Sequence, residues 1–304
     1  MSRLEILVTG GTGFIGSHVV RAGLDRGHGV TILSLGGSAS NPILSGARFL
    51  QCDLADKQQV KDTVSPHSFD YVIHLGGYID HASFREGGRE MIDSHFSGLM
   101  NLVQALDWSR LKRFIQIGSS DEYGDAESPQ TEESPVHPIS SYSFAKLAGS
   151  EFLQMLHRIE DFPAVILRLF LVYGPGQDNR RFIPQIIHGC LKDQTFPASE
   201  GHQIRDFCYV GDVVRGIFAA MDCEKANGKI INLASGVPVR IRDVVEKVQK
   251  TVGMGNPQYG KIAYREGENM SLYADTTRAR ELLGWVPTEG LSSGLKKTID
   301  SYRD

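Results

Sequence analysis

Tyr142 and Lys146 stand four residues apart in a stretch with helical spacing, so their side chains share one helix face and lie within mutual reach. A phenol and an amine placed this way form a proton-transfer unit. A tyrosine of ordinary pKa near 10 exchanges protons poorly at neutral pH, and a neighbouring ammonium favours its phenolate. In this reading Lys146 tunes Tyr142. The spacing alone is common, and a surface tyrosine and lysine would produce it equally well. What separates the two readings is an upstream strand end, Gly118-Ser119-Ser120, which can bring a hydroxyl to the same reacting oxygen. Ser119, Tyr142 and Lys146 are therefore the candidate catalytic residues.

A second group of residues predicts what such a site would work with. Gly10-Gly11-Thr12-Gly13-Phe14-Ile15-Gly16 lies directly between the apolar segment Leu4 to Thr9 and a helical pattern over Phe14 to Arg26. Glycines spaced G-x-x-G-x-x-G let a backbone turn tightly and approach a pyrophosphate at a helix N-terminus. A plain tight turn would look similar, but the placement after a buried strand favours a bound dinucleotide, with Gly10, Gly13, Phe14, Ile15 and Gly16 as contacts. The second strand ends at Ser34, where an acidic side chain would hold the adenosine ribose and repel a 2′-phosphate. A small hydroxyl leaves room for that phosphate, so NADP(H) is favoured and NAD(H) is the alternative. No arginine stands beside Ser34, in Leu35-Gly36-Gly37-Ser38, to neutralise it. Asp53 suits the adenine amino group, its competing role being a helix cap before Lys57. Leu54, with Leu75 and Gly76 at a later strand end, completes the cofactor set.

These groups need a scaffold, and the pattern of the chain supplies one. Strands are expected at Leu4 to Thr9, Val30 to Leu33, Arg48 to Gln51, Phe69 to Leu75, Arg113 to Ile117 and Ala164 to Phe170. Helices over Phe14 to Arg26, Arg89 to Trp108 and Ser141 to His157 separate several of them. The alternation predicts an α/β fold with a doubly wound parallel sheet. After Tyr173-Gly174-Pro175-Gly176 the elements shorten between prolines, which places a dinucleotide-binding domain at 1–172 and a smaller substrate-binding lobe at 173–304. A strand near 229–234 is expected to return to the main sheet.

Composition narrows the partners. The 304 residues are 41% hydrophobic and 22% charged, which suits a globular enzyme and excludes a mainly disordered chain. A net charge of −4 without a basic stripe argues against nucleic acid. No apolar run approaches a membrane span and the start does not read as a signal peptide, so the cytoplasm is the expected compartment. Cys52, Cys190, Cys208 and Cys223 form no C-x-x-C pair, and the ten histidines show no ligand spacing, so neither disulfides nor a metal site is expected. His74, at the end of an apolar strand, is read as structural.

The glycine loop, Ser119, Tyr142-Ser-Phe-Ala-Lys146, Arg205-Asp206-Phe207 and Leu283-Gly284-Trp285 occur in an order that resembles the extended short-chain dehydrogenase/reductase family of nucleotide-sugar enzymes. The resemblance runs from residue 4 to about residue 300. It implies that Ser119 binds the sugar oxygen, that Tyr142 exchanges its proton and that Lys146 also holds the nicotinamide ribose. It implies further that Arg205 and Arg265 grip the diphosphate of a nucleotide-sugar substrate, with Ser120 and Asp121 beside the sugar, and that the protein is a homodimer joined through its Arg89 to Trp108 and Ser141 to His157 helices. The segment Gly118-Ser119-Ser120-Asp121-Glu122-Tyr123-Gly124 is similar to the G-S-A-E-E-Y-G of GDP-4-keto-6-deoxymannose reductases, which favours a 4-ketoreductase. In dTDP-glucose 4,6-dehydratases the register is T-D-E-V-Y-G, so Ser120 replaces the aspartate and Asp121 the glutamate. Dehydration and 4-epimerisation on tightly bound NAD are the alternatives, and a dinucleotide sensor without chemistry is the alternative of another class. His95 and Leu171 depart from the family, which usually has asparagine at both positions.

Overall fold

The computed structural model describes residues 3–36, 44–78, 83–264 and 267–303. Its centre is a seven-stranded parallel sheet built from β1 (Glu5–Thr9), β2 (Gly29–Ser34), β3 (Arg48–Gln51), β4 (Tyr71–His74), β5 (Arg113–Ser119), β6 (Ala164–Leu169) and a later strand, Ile230–Leu233. From one edge the order is Ile230–Leu233, β6, β5, β4, β1, β2, β3. The middle strands are rich in apolar residues because both of their faces are covered, with Gln116 of β5 and Arg168 of β6 buried among them. On one face, α1 (Phe14–Asp25) packs Val19 and Val20 onto Ile6, Val8 and Ile32. On the other, α2 (Lys57–Val64), α4 (Gly98–Ala105) and α5 (Ser141–Glu160) bring Val60, Leu99, Leu102 and Leu153 onto Leu7, Val72, Phe114 and Ile166.

Strand order reverses between β1 and β4, and in an open parallel sheet the crevice at that switch, beyond the carboxyl ends of the strands, is where ligands sit. The glycine loop leaves β1 there, Leu75 and Gly76 leave β4, and Ser119 ends β5.

The helix expected over Arg89 to Trp108 takes a less regular form. It comprises α3 (Gly88–Ile92), a π-helical turn at Asp93–Ser97 and α4. Backbone angles stay helical throughout, with φ −63° and ψ −44° at Asp93, so the segment is widened rather than broken. A π turn changes hydrogen bonding and not hydrophobic spacing, and so escapes a periodicity argument. Helix α5 runs one turn beyond its expected end and is capped reciprocally: Ser140 Oγ accepts from Ser143 N–H at 3.1 Å, and Ser143 Oγ accepts from Ser140 N–H at 3.0 Å.

The remainder of the chain forms a second layer. Strands β7 (Leu171–Tyr173), β9 (Ile204–Tyr209), β11 (Pro238–Arg240) and β13 (Ser271–Leu272) make a four-stranded sheet, and β8 (Thr195–Pro197) pairs with β12 (Asn256–Gln258). Helices α6 (Phe182–Leu191), α8 (Ile241–Val252) and α10 (Leu291–Asp300) share a core with that sheet through Ile187, Val244, Val248 and Leu295. Helix α7 (Val210–Asp222) and the short α9 (Thr277–Leu283) instead contribute Val213, Ile217 and Ala279 to the core around β1. Ile230–Leu233, which is β10, lies within the second half of the chain yet pairs with β6 of the main sheet.

Candidate active site

The glycine loop is closed by its own backbone. Gly13 N–H donates to Gly10 O at 3.0 Å, and Gly10, at φ +67°, lies so close to Leu75 that a Cβ would stand 3.0 Å from the Leu75 carbonyl. At Gly16 a Cβ would lie 2.1 Å from Gly10 O, so helix and turn approach as only glycine permits. Gly13 begins α1 without a side-chain acceptor, and no acidic residue occupies the first turn. The amides of that turn, including those of Phe14 and Ile15, are thus left for an anion. This cradle fits a dinucleotide pyrophosphate.

The other candidate cofactor residues surround the same crevice. Gly76 N–H donates to Thr9 Oγ1 at 2.9 Å, and that hydroxyl lies 2.7 Å from His74 Nδ1, so His74 fixes the loop from below. Burial depresses the His74 imidazole to about 3 and keeps it neutral. Leu54 packs against Gly76, and its carbonyl accepts from Asn101 Nδ2 at 2.9 Å. Ser34 Oγ lies 3.4 Å from Thr12 Oγ1 at the end of β2. Asp53 is exposed, and its carboxylate accepts from Ala55 N–H. The cap of α2 is not Asp53 but Asp56, which accepts from the amides of Gln58 and Gln59. Gly37, Ser38 and Arg265 lie outside the described residues.

Ser119, Tyr142 and Lys146 converge beside this crevice. Ser119, the last residue of β5, caps the short 3₁₀ turn Ser120–Tyr123 by accepting from Asp121 N–H at 3.1 Å. Its side chain also shares a hydrogen bond with Tyr142. Tyr142 and Lys146 project inward from α5 and are 5% and 6% exposed. Burial, joined by the Asp121 carboxylate, pushes the phenol well above the usual tyrosine range. The Ser119 hydrogen bond opposes that rise, Glu122 adds to it and Arg181 again opposes it. The lysine expected to tune the phenol has another partner: Nζ donates to Ile117 O at 2.9 Å and stands 5.8 Å from the Tyr142 ring centroid. Ser119 and Arg181 are the groups that draw the phenol downward.

Burial also depresses the Lys146 ammonium from 10.5 to about 8, with Glu122 opposing. A folded-state value below the unfolded one means that burying the charge costs stability below pH 8, and that the cost disappears between pH 8 and 10.5. A shift of this size corresponds to roughly 3 kcal/mol. Lys146→Met is accordingly expected to stabilise the fold near neutral pH, with a gain that shrinks from pH 8 to 10.5. Denaturant unfolding of both proteins at pH 7 and above pH 10 checks this, and a gain that grows with pH contradicts it.

Around the triad lie residues the sequence did not single out, Glu122, Arg168 and Arg181, together with others that it did. Glu122 is fully buried and bonds the Ser119 amide and Arg168 Nε, each at 2.9 Å. Arg181 precedes α6. Arg205 is ion-paired with Glu268 and feels the Asp121 carboxylate, so an arginine and two acidic groups border the outer side of the site. Asp206 beside it is buried and accepts from Ser235 N–H, Ser235 Oγ and Gly236 N–H at 2.6–2.9 Å. The R-D-F segment thus contributes one cation toward the site and one carboxylate that anchors the neighbouring loop. Ser120 is buried. Leu171 opens β7 and packs in the second-layer core. Among the described residues, no helix is long and apolar enough to cross a membrane and no cluster of three or more histidine, cysteine or acidic side chains could hold a metal.

This arrangement has counterparts. The sequence profile of the NAD dependent epimerase/dehydratase family matches residues 6–234. A dTDP-glucose 4,6-dehydratase of Streptomyces niveus is 31% identical across 99% of this chain and 93% of its own length. A putative UDP-glucose 4-epimerase of Methanocaldococcus jannaschii is 30% identical, with 97% of each chain covered. Among solved structures, the UDP-glucose 4-epimerase of Thermotoga maritima with UDP-glucose superposes with a TM-score of 0.89 at 29% identity, covering 99% of both chains. A mutant UDP-glucuronic acid 4-epimerase of Bacillus cereus, in complex with UDP-4-deoxy-4-fluoro-glucuronic acid and NAD, gives 0.85 at 27% identity, again with 99% of both chains covered.

Proposed function

Because the chain belongs to the NAD-dependent epimerase/dehydratase family, we propose that it moves a hydride at C4 of a nucleotide-linked hexose with NAD(H) as the carrier, as a 4-epimerase does. The observation that carries this reading is the Ser119–Tyr142 hydrogen bond at the mouth of the glycine-loop crevice. In this reading the phenol and the Ser119 hydroxyl meet the same sugar oxygen. Tyr142 takes the proton of the C4 hydroxyl on oxidation and returns it on reduction, while Ser119 stabilises the charge that develops on that oxygen. A dinucleotide held by its pyrophosphate on the Gly10–Gly16 turn would supply the hydride acceptor and donor for this exchange. Lys146 orients the ribose, and Arg205 exchanges Glu268 for the substrate diphosphate, a charge-assisted contact suited to a guanidinium. Residues 173–304 supply most of the sugar-nucleotide contacts. Ser120 departs from the aspartate of dTDP-glucose 4,6-dehydratases, while Asp121 keeps a carboxylate one residue on, so 4,6-dehydration stays the alternative that the sugar assay below decides.

The second reading is reduction of a nucleotide-linked 4-keto-6-deoxy sugar by NADP(H). Ser34, with no carboxylate to repel a 2′-phosphate, and the Gly118–Gly124 segment favour it. The relatives named above are dehydratases and epimerases, and the dinucleotide held in the B. cereus structure is NAD. These support the first reading over the second.

Incubation with UDP-glucose, UDP-glucuronic acid or dTDP-glucose, and with 4-keto-6-deoxy nucleotide sugars plus NADPH, separates the possibilities. Interconversion of C4 epimers without net cofactor consumption is the expected result. Loss of C6 oxygen marks a dehydratase and NADPH oxidation a ketoreductase. Cofactor binding without any turnover would leave only a sensor.

A further inference from the structure

His95 stands behind the phenol, in the π turn between α3 and α4. Its ring meets that of Tyr142 edge to face, with centroids 5.3 Å apart and planes at 81°. Nε2 lies 2.7 Å from the Tyr78 carbonyl, which can only accept, so this nitrogen carries the proton. Gly77, at φ +114°, lies against the same ring: a Cβ there would stand 2.1 Å from His95 Cε1. The ring is therefore enclosed between the loop leaving β4 and the phenol, and it is 5% exposed. Four independent features, the ring contact, the carbonyl tether, the glycine that makes room and the local π widening, meet on one side chain.

From this geometry we infer that His95 is a positioning residue for Tyr142, its ring holding the phenol in place and tying it to the Leu75–Tyr78 loop beside the cofactor cradle. Its significance for turnover rests on the function proposed above. Burial, with the Lys146 charge second, holds the imidazole down near 3, so it remains neutral and leaves the charge balance of the site to Asp121, Glu122, Lys146 and Arg181. The role is geometric. A phenol that tilts by an ångström loses alignment with both the sugar oxygen and Ser119.

The test uses full-length protein labelled with 3-fluorotyrosine, in which the Tyr142 resonance is identified by its absence from Tyr142→Phe. In His95→Ala the ¹⁹F line of Tyr142 is expected to shift and broaden, and in His95→Phe, which restores a ring, to return toward the wild-type position. In turnover of UDP-glucose, His95→Ala is expected to lower kcat by about tenfold to hundredfold, with KM within about twofold and substantial recovery in His95→Phe. If His95→Ala does not fold, His95→Gln removes the ring while keeping a donor for Tyr78, and the same outcomes are expected. An unmoved ¹⁹F line, or a loss that Phe does not rescue, overturns the inference. The fluorine measurement uses no substrate, so inactivity on every sugar would sink the proposed function and leave this inference to be decided by the resonance.

Discussion

Tyr142→Phe is expected to lower turnover by about 10²- to 10⁴-fold, the range associated with a positioned proton-transfer group, while dinucleotide affinity stays within about twofold of wild type. The change deletes one oxygen. The ring remains buried against His95, so packing persists and the loss falls on proton transfer. The direction of the phenol's shift adds a second expectation. A group held well above its ordinary range stays protonated at neutral pH. Its proton is always in place for transfer to a strongly basic alkoxide, while the phenolate needed to accept a proton is scarce until pH rises. Reduction of a ketone should accordingly proceed across the neutral range, whereas oxidation of the C4 hydroxyl should accelerate as pH rises, until folding fails. Initial rates in each direction from pH 6 to 10, with dinucleotide binding followed by fluorescence, check both statements. A Tyr142→Phe protein with wild-type turnover would remove the phenol from the mechanism.

What could be read from the sequence and what could not follow from how each feature is encoded. The glycine loop is legible because Gly10, at φ +67°, and Gly16 carry backbone requirements that other residues do not meet: at Gly16 even a methyl group would strike the Gly10 carbonyl. The Tyr142/Lys146 face is legible because helical spacing is local, and the sheet because buried parallel strands are mostly apolar. Contacts across the fold are not encoded this way. His95 and Tyr142 are far apart in sequence, and the π turn that carries the histidine leaves hydrophobic periodicity intact. Asp206 is visible only as the neighbour of Arg205, although its four hydrogen bonds reach Ser235, Gly236 and Ala274. Lys146 shows the same limit from the other side. Its helix face is predictable, but its preference for the Ile117 carbonyl depends on how β5 and α5 pack. The choice among reactions is least legible. One motif segment resembles reductases, while the whole chain is similar to dehydratases and epimerases.

The largest expected effect on stability lies beneath the hydroxyl pair. Glu122 and Arg168 form a buried ion pair, their side chains 0% and 2% exposed. One carboxylate oxygen accepts from the Ser119 amide, the other from Arg168 Nε and Ser150 Oγ, each at 2.9 Å. Gly118 is required beside them, since a Cβ would stand 2.6 Å from Glu122 Oε1. Glu122→Ala leaves the Arg168 guanidinium buried without its counter-charge, and losses of about 3–5 kcal/mol are typical when one partner of such a pair is removed. It also frees the Ser119 amide, so the catalytic hydroxyl loses its fixed position and kcat should fall as well. The double variant Glu122→Leu, Arg168→Met separates these effects. An apolar pair of similar volume removes the uncompensated charge and should recover most of the stability, because replacing a buried ion pair outright is often neutral or stabilising. It cannot restore an acceptor for Ser119. Equilibrium unfolding should therefore show rescue where kinetics does not, whereas recovery of both would mean that the carboxylate serves the fold alone. A Glu122→Ala cost below about 1 kcal/mol would show that water or a rearranged Arg168 offsets the charge, contrary to the enclosure the structure shows.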